Sequence, residues 1–196
     1  MDTKFSEIIC IVDRSGSMQA IRSDAIGGFN AFLAAQQGDP VPARLTLVLF
    51  DHEYLVPYQN EAIEDVSPLD ETTYVPRGTT ALLDAIGRTI DDADARLDAS
   101  PEAERPGKVI VSILTDGLEN ASRDYTRDRA ASMIKQHQEE RGWEFIFLAA
   151  NQDAIQEGAS LSIGRQDVRA FAASGLGVRA VFSDLSDEVL RRKRGV

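Results

Sequence analysis

Residues 8–18 read Ile8-Ile9-Cys10-Ile11-Val12-Asp13-Arg14-Ser15-Gly16-Ser17-Met18. The unbroken apolar, largely β-branched start describes a strand covered on both faces, because a strand with one wet face alternates polar and apolar side chains. The run then stops on a carboxylate, and two serines follow at alternate positions around a glycine. In an extended loop, side chains two apart point the same way, so the oxygens of Asp13, Ser15 and Ser17 are able to converge on one point. Gly16 lets the chain turn tightly beneath them.

Two further runs have the same character, 45–50 (LTLVLF) and 109–114 (VIVSIL), and a shorter one occupies 145–148 (FIFL). Helical spacing separates them. Ile26, Phe29 and Leu33 form one apolar stripe; Leu83, Ile86, Ile90, Ala93 and Leu97 form a longer one. Ala130, Met133, Ile134 and His137 make a third, with Gly142 as its C-cap. Val178, Phe182, Leu185 and Val189 make the last, which ends in the basic run 191–194. Strands alternating with helices mean βαβ units, so the expected fold is α/β: an open, doubly wound, mostly parallel sheet with helices on both faces. One antiparallel edge strand is expected, since Asp51-His52-Glu53 is a turn-sized gap before the segment 54–58. Residues 98–107, acidic and carrying Pro101 and Pro106, read as a surface loop. The stretch 152–176 reads as irregular. Neither a repeat nor a composition shift marks a second unit, so one domain over 1–196 is expected.

The 196 residues are 43% hydrophobic and carry 32 acidic against 21 basic side chains, a formal net charge of −11. That balance argues against a general nucleic-acid binder, which needs a cationic footprint. A lone cysteine, Cys10, supports neither a disulfide framework nor a thiolate zinc site. No apolar run is long enough to cross a bilayer and no leader-like segment opens the chain, so a soluble, cytoplasmic protein is expected, with no membrane partner and a monomeric state favoured.

Ligands of open α/β sheets gather at the carboxyl ends of the parallel strands. There the sequence sets Asp13, Ser15 and Ser17 after one strand, Thr115-Asp116-Gly117 after another, and Arg77-Gly78-Thr79-Thr80 ahead of the Leu83 helix. Oxygen donors alone, with no histidine or thiol in these loops, suit magnesium, with manganese and calcium as alternatives, and disfavour zinc and copper.

Taken together, Asp13-x-Ser15-x-Ser17, a threonine ahead of a helix and Thr115-Asp116-Gly117 resemble the metal-ion-dependent adhesion site of von Willebrand factor type A domains. The blocks 26–33 (IGGFNAFL) and 143–148 (WEFIFL) resemble a compact, stand-alone bacterial and phage branch of those domains. The resemblance implies a Rossmann-like fold and a protein-binding module. Its ion is held by Asp13, Ser15, Ser17, Thr80 and Asp116, and keeps one position open for an aspartate or glutamate of a partner. The resemblance to the family's threonine loop, whose metal threonine precedes an apolar helix position by six, implies Thr80, with Ile86 at that position; a shift to Thr79 stays open, as does a purely capping role. Ser15, Ser17 and Thr80 are expected as direct ligands, with Asp13 and Asp116 acting largely through water.

Arg14 departs from that pattern. It is expected to point outward, where it would help hold an acidic partner. Glu119 and Asn120 read as solvated loop residues, Asp51 as a turn residue, His52 and His137 as non-catalytic, and the basic run as a complement to its helix dipole. A rival reading is a metal-dependent hydrolase or phosphotransferase with Asp13 as nucleophile. Against it, residue 15 is no carboxylate and the three loops contain no lysine.

Overall fold

A computed structural model describes residues 5–150 and 153–195. The expected unit 1–196 therefore includes positions outside the described residues. Six strands form one sheet: β1 Ser6–Asp13, β2 Ala43–Phe50, β3 Tyr54–Ala62, β4 Lys108–Thr115, β5 Glu144–Ala149 and β6 Val168–Ala170. Their order is β3-β2-β1-β4-β5-β6, parallel throughout except for β3, which returns antiparallel along β2 at the edge. Among the described residues four α-helices connect them, α1 Arg22–Gln37, α2 Leu82–Ala99, α3 Arg127–Glu140 and α4 Ala154–Ser160, and α5 Gly175–Arg194 follows β6.

The unbroken apolar run of β1 is explained by its two buried faces. Ile8, Cys10 and Val12 join the core beneath α1 and α5, with Phe29, Leu33, Phe182 and Leu185. Ile9 and Ile11 point the other way, into the core beneath α2 and α3, with Ile86, Ile90 and Ile134. On the first face the helices approach closely: a Cβ on Gly28 of α1 would stand 2.5 Å from the Phe182 ring of α5.

Two expectations about local structure change. The stretch read as irregular contains α4 and the edge strand β6, although Gln152 lies outside the described residues. Only three residues of β6 pair with β5, too few for any periodicity to register in sequence. The basic run does more than complement a dipole. Arg192 pairs with Glu144, Asp167 and Glu188, and the buried Lys193 ammonium lies 3.2 Å from Asp39, which ties the end of α5 to β5 and to the turn after α1. Two other readings hold, since β3 forms the antiparallel edge and Gly142 adopts a left-handed conformation just past α3; the loop read as 98–107 is shorter, because α2 runs on through Ala99 and leaves 100–107 as a loop with one short turn of 3₁₀ helix.

In this strand order the connections leave β1 toward β2 and return on its other side at β4. The crevice between the carboxyl ends of β1 and β4 is thus the topological switch point, where open α/β sheets bind ligands.

Candidate metal centre

Asp13 is the last residue of β1 and has no exposed surface. One of its carboxylate oxygens accepts the Ser15 N–H (2.6 Å), which folds the loop back on itself; the other accepts the Thr115 hydroxyl at the end of β4 (2.6 Å). Its main-chain carbonyl accepts the phenol of the buried Tyr74 (2.5 Å). Burial pushes the Asp13 carboxyl up to about 6 against the pull of the Thr115 and Ser15 hydrogen bonds, and neighbouring Asp116 raises it further. Burial also raises Asp116, with the Ser17 hydrogen bond opposing it.

The hydroxyls form a relay. Ser17 Oγ–H donates to Asp116 over 2.6 Å, and Ser15 Oγ lies 3.0 Å from Ser17 Oγ. Because an ionised carboxylate only accepts, the Ser17 proton is committed to Asp116 and Ser15 is the donor within the serine pair. Both lone pairs of Ser15 Oγ and one of Ser17 Oγ then stay open. A Cβ added to Gly117 would stand 3.3 Å from Thr80 Oγ1 and 3.6 Å from Ser17 Oγ, so the threonine loop and the first loop meet over this glycine. Thr79 is exposed while Thr80 is buried, and α2 starts at Leu82 without any side-chain cap, so the Thr80 hydroxyl is not spent on capping.

This donor set fits a hard divalent cation: neutral hydroxyl oxygens with open lone pairs beside two carboxylates. Among the described residues no group of three His, Cys, Asp or Glu side chains is arranged to hold a metal, so a cation here depends on the hydroxyls.

Arg14 overturns its expectation. It is 6% exposed and turns away from the crevice toward the β2–β3 hairpin, where its Nε lies 3.2 Å from Asp51. Asp51 is fully buried, accepts the Glu53 N–H (2.6 Å) and also takes Arg77 (3.0 Å). The physical reason is adjacency of strand ends. Asp13 pairs in register with Phe50, so the residue after each strand faces its neighbour, and the buried carboxylate captures the nearest guanidinium. Asp51 is therefore more than a turn residue.

Glu119 and Asn120 are not simply solvated. Asn120 Oδ1 accepts the Thr80 N–H (3.0 Å), and the Asn120 N–H donates to the Thr80 carbonyl (3.0 Å). The Glu119 carboxylate accepts Leu83 N–H at the start of α2 (2.9 Å) and the N–H groups of Ala121 and Ser122. Together they fasten the threonine loop to the aspartate loop. Their place just after a strand-end Asp-Gly was the available signal; the target of their hydrogen bonds was not. His52 is half-exposed and packs on Gly78. His137 Nδ1 lies 2.7 Å from the Met133 carbonyl within α3, and its ring lies against Trp143.

No family model and no curated protein matches this sequence. Solved structures do match. The pilus adhesin SpaC from Lactobacillus rhamnosus GG, in an open conformation, superposes with a TM-score of 0.72 at 15% identity over 98% of this chain and 31% of its own. The von Willebrand factor domain of Mfa5, a type V pili tip protein from Porphyromonas gingivalis, superposes at 0.64 with 12% identity over 96% of both chains. Proximal thread matrix protein 1 from the mussel byssus, whose MIDAS motif is occupied by zinc, gives 0.64 at 16% identity over 96% of this chain and 47% of its own. This chain thus spans about a third to a half of the adhesin and thread-matrix chains. At these identities the likeness speaks for the fold, and the fold is that of a von Willebrand factor type A domain.

Proposed function

We propose that the chain is a divalent-cation-dependent protein-binding module. Ser15, Ser17 and Thr80 would ligate the ion directly, and Asp13 and Asp116 would hold it through water and hydrogen bonds. The observation that carries this reading is the Ser15–Ser17–Asp116 relay beside Thr80, which leaves hydroxyl lone pairs open at the switch point. Asp13 suits an indirect role, since both of its oxygens already accept protein donors. The zinc-occupied site of the mussel protein supports a divalent ion as such; the all-oxygen donors favour magnesium over zinc here.

Bound there, the ion offers a carboxylate an attractive position on a chain whose charge of −11 otherwise repels acidic partners. Neutral ligands leave most of its charge unspent. The protein's own work is to hold the hydroxyls: Tyr74 and Thr115 fix Asp13, Asn120 fixes Thr80, and the hairpin carboxylates draw the Arg14 cation away. A nucleophilic Asp13 would need an exposed oxygen, and this carboxylate has none.

Thermal melts test the cation. The wild-type midpoint should climb and saturate as magnesium or manganese rises to millimolar levels, and Ser15→Ala/Ser17→Ala should not respond. A wild-type midpoint indifferent to both ions would defeat the proposal.

A further inference from the structure

Resting on that reading, we infer that the acidic residue recognised at this site is flanked by a bulky apolar side chain, which seats against Leu118. Leu118 is 62% exposed and stands two positions after Asp116. Its backbone is held on both sides. Gly117 N–H donates to Thr115 Oγ1 (3.2 Å), and Glu119 and Asn120 are bonded to the loop ahead of α2. The leucine is therefore presented outward by a fixed loop.

A single exposed leucine needs no explanation, but its company does. The large hydrophobics exposed among the described residues are Leu55, Val75, Leu118, Ile155 and Leu176. Every one lies at the carboxyl end of the sheet. Leu55 follows the β2–β3 turn opposite Leu49, and Val75 precedes Arg77, whose N–H bonds the Arg14 carbonyl. Ile155 and Leu176 sit in the first turns of the helices that follow β5 and β6. The opposite end of the sheet carries none among the described residues. The exposed large apolar side chains among the described residues thus share the end of the sheet that carries the oxygen site, and Leu118 is the one nearest Asp116 in sequence, which suits an interface that joins apolar contacts to one charged contact.

The occupant is a protein segment carrying Asp or Glu with an aliphatic or aromatic neighbour. The carboxylate meets the cation, and the neighbour's contact with Leu118 adds binding that the net charge does not oppose. An anionic bilayer fits less well: the charge of −11 repels it, and these side chains come from one strand, two helices and two loops rather than from one amphipathic helix.

The test uses an array of synthetic peptides with a central Glu in a Gly/Ser background, flanked by Leu, Phe, Gly or Lys, read in magnesium and in chelator. Leu- and Phe-flanked peptides should bind about five-fold more tightly than Gly-flanked ones in magnesium. Leu118→Ser should bring that ratio near one while leaving the magnesium-dependent rise in melting midpoint intact. Equal binding of all Glu peptides in magnesium would overturn this inference and leave the metal-dependent module standing. Absence of any Glu-peptide binding by a protein that does bind magnesium would instead overturn the acceptance of a carboxylate. Persistence of the apolar preference in Leu118→Ser, or stronger magnesium-dependent binding to phosphatidylserine vesicles than to any peptide, would overturn the role of Leu118.

Discussion

The Ser17 hydroxyl donates to the Asp116 carboxylate over 2.6 Å, joining residues 99 positions apart in sequence. It spans the crevice between β1 and β4, so it records how the two loops are brought into one site.

That bond makes a quantitative prediction for calorimetric titration with magnesium. Ser17→Ala and Asp116→Ala should each weaken binding at least ten-fold, and the double variant should lose much less than the two losses combined, because each single change already breaks the same relay. Additive losses would mean that the two residues act separately.

Acidity offers a second check. In chelator, the Asp13 carboxyl is raised by burial from 3.8 to about 6. A group whose folded value lies above its unfolded value holds its proton more tightly in the native state. Its contribution to stability is complete below pH 3.8 and is lost as pH rises through about 6. Chelated wild type should therefore lose up to about 3 kcal/mol across that window. Asp13→Asn should flatten the slope in denaturant titrations. Magnesium requires the ionised carboxylates, so its affinity should fall as pH drops below about 6.

Arg14 separates stability from binding. Arg14→Ala leaves Arg77 as the one guanidinium on the buried Asp51 and should cost about 1–3 kcal/mol in urea titrations, with magnesium affinity within two-fold of wild type. Asp51→Ala should cost more, since it leaves the buried Arg14 guanidinium with only the more distant Glu53 carboxylate and removes the acceptor of the Glu53 N–H. A large loss of magnesium affinity in Arg14→Ala would mean that this cation serves the site after all.

Cys10 reports on the core. Burial pushes its thiol up to about 12, against a hydrogen bond from Ser112. Native protein at pH 8 should resist a disulfide-exchange reagent, and labelling should proceed no faster than global unfolding measured by fluorescence. Rapid labelling of folded protein would contradict a sealed β1.

The sequence by itself determined the strand-helix alternation, the burial of β1 on both faces and the all-oxygen character of the site. Each of these is a local property: periodicity follows from 3.6 or 2 residues per repeat, and donor chemistry follows from residue type. The resemblance implied Thr80 over Thr79, and the fold buries Thr80 with its hydroxyl over Gly117 while Thr79 is exposed. The direction of Arg14, the burial of Asp51 and the grip of Asn120 on Thr80 were decided only by the tertiary structure. So was β6, whose three residues are a strand only because β5 supplies hydrogen bonds. Asn120 and Thr80 are 40 positions apart and Asp13 and Thr115 are 102 apart, so no local pattern encodes their contact. A side chain chooses its partner by which groups share its buried space, and strand order sets that for these loops.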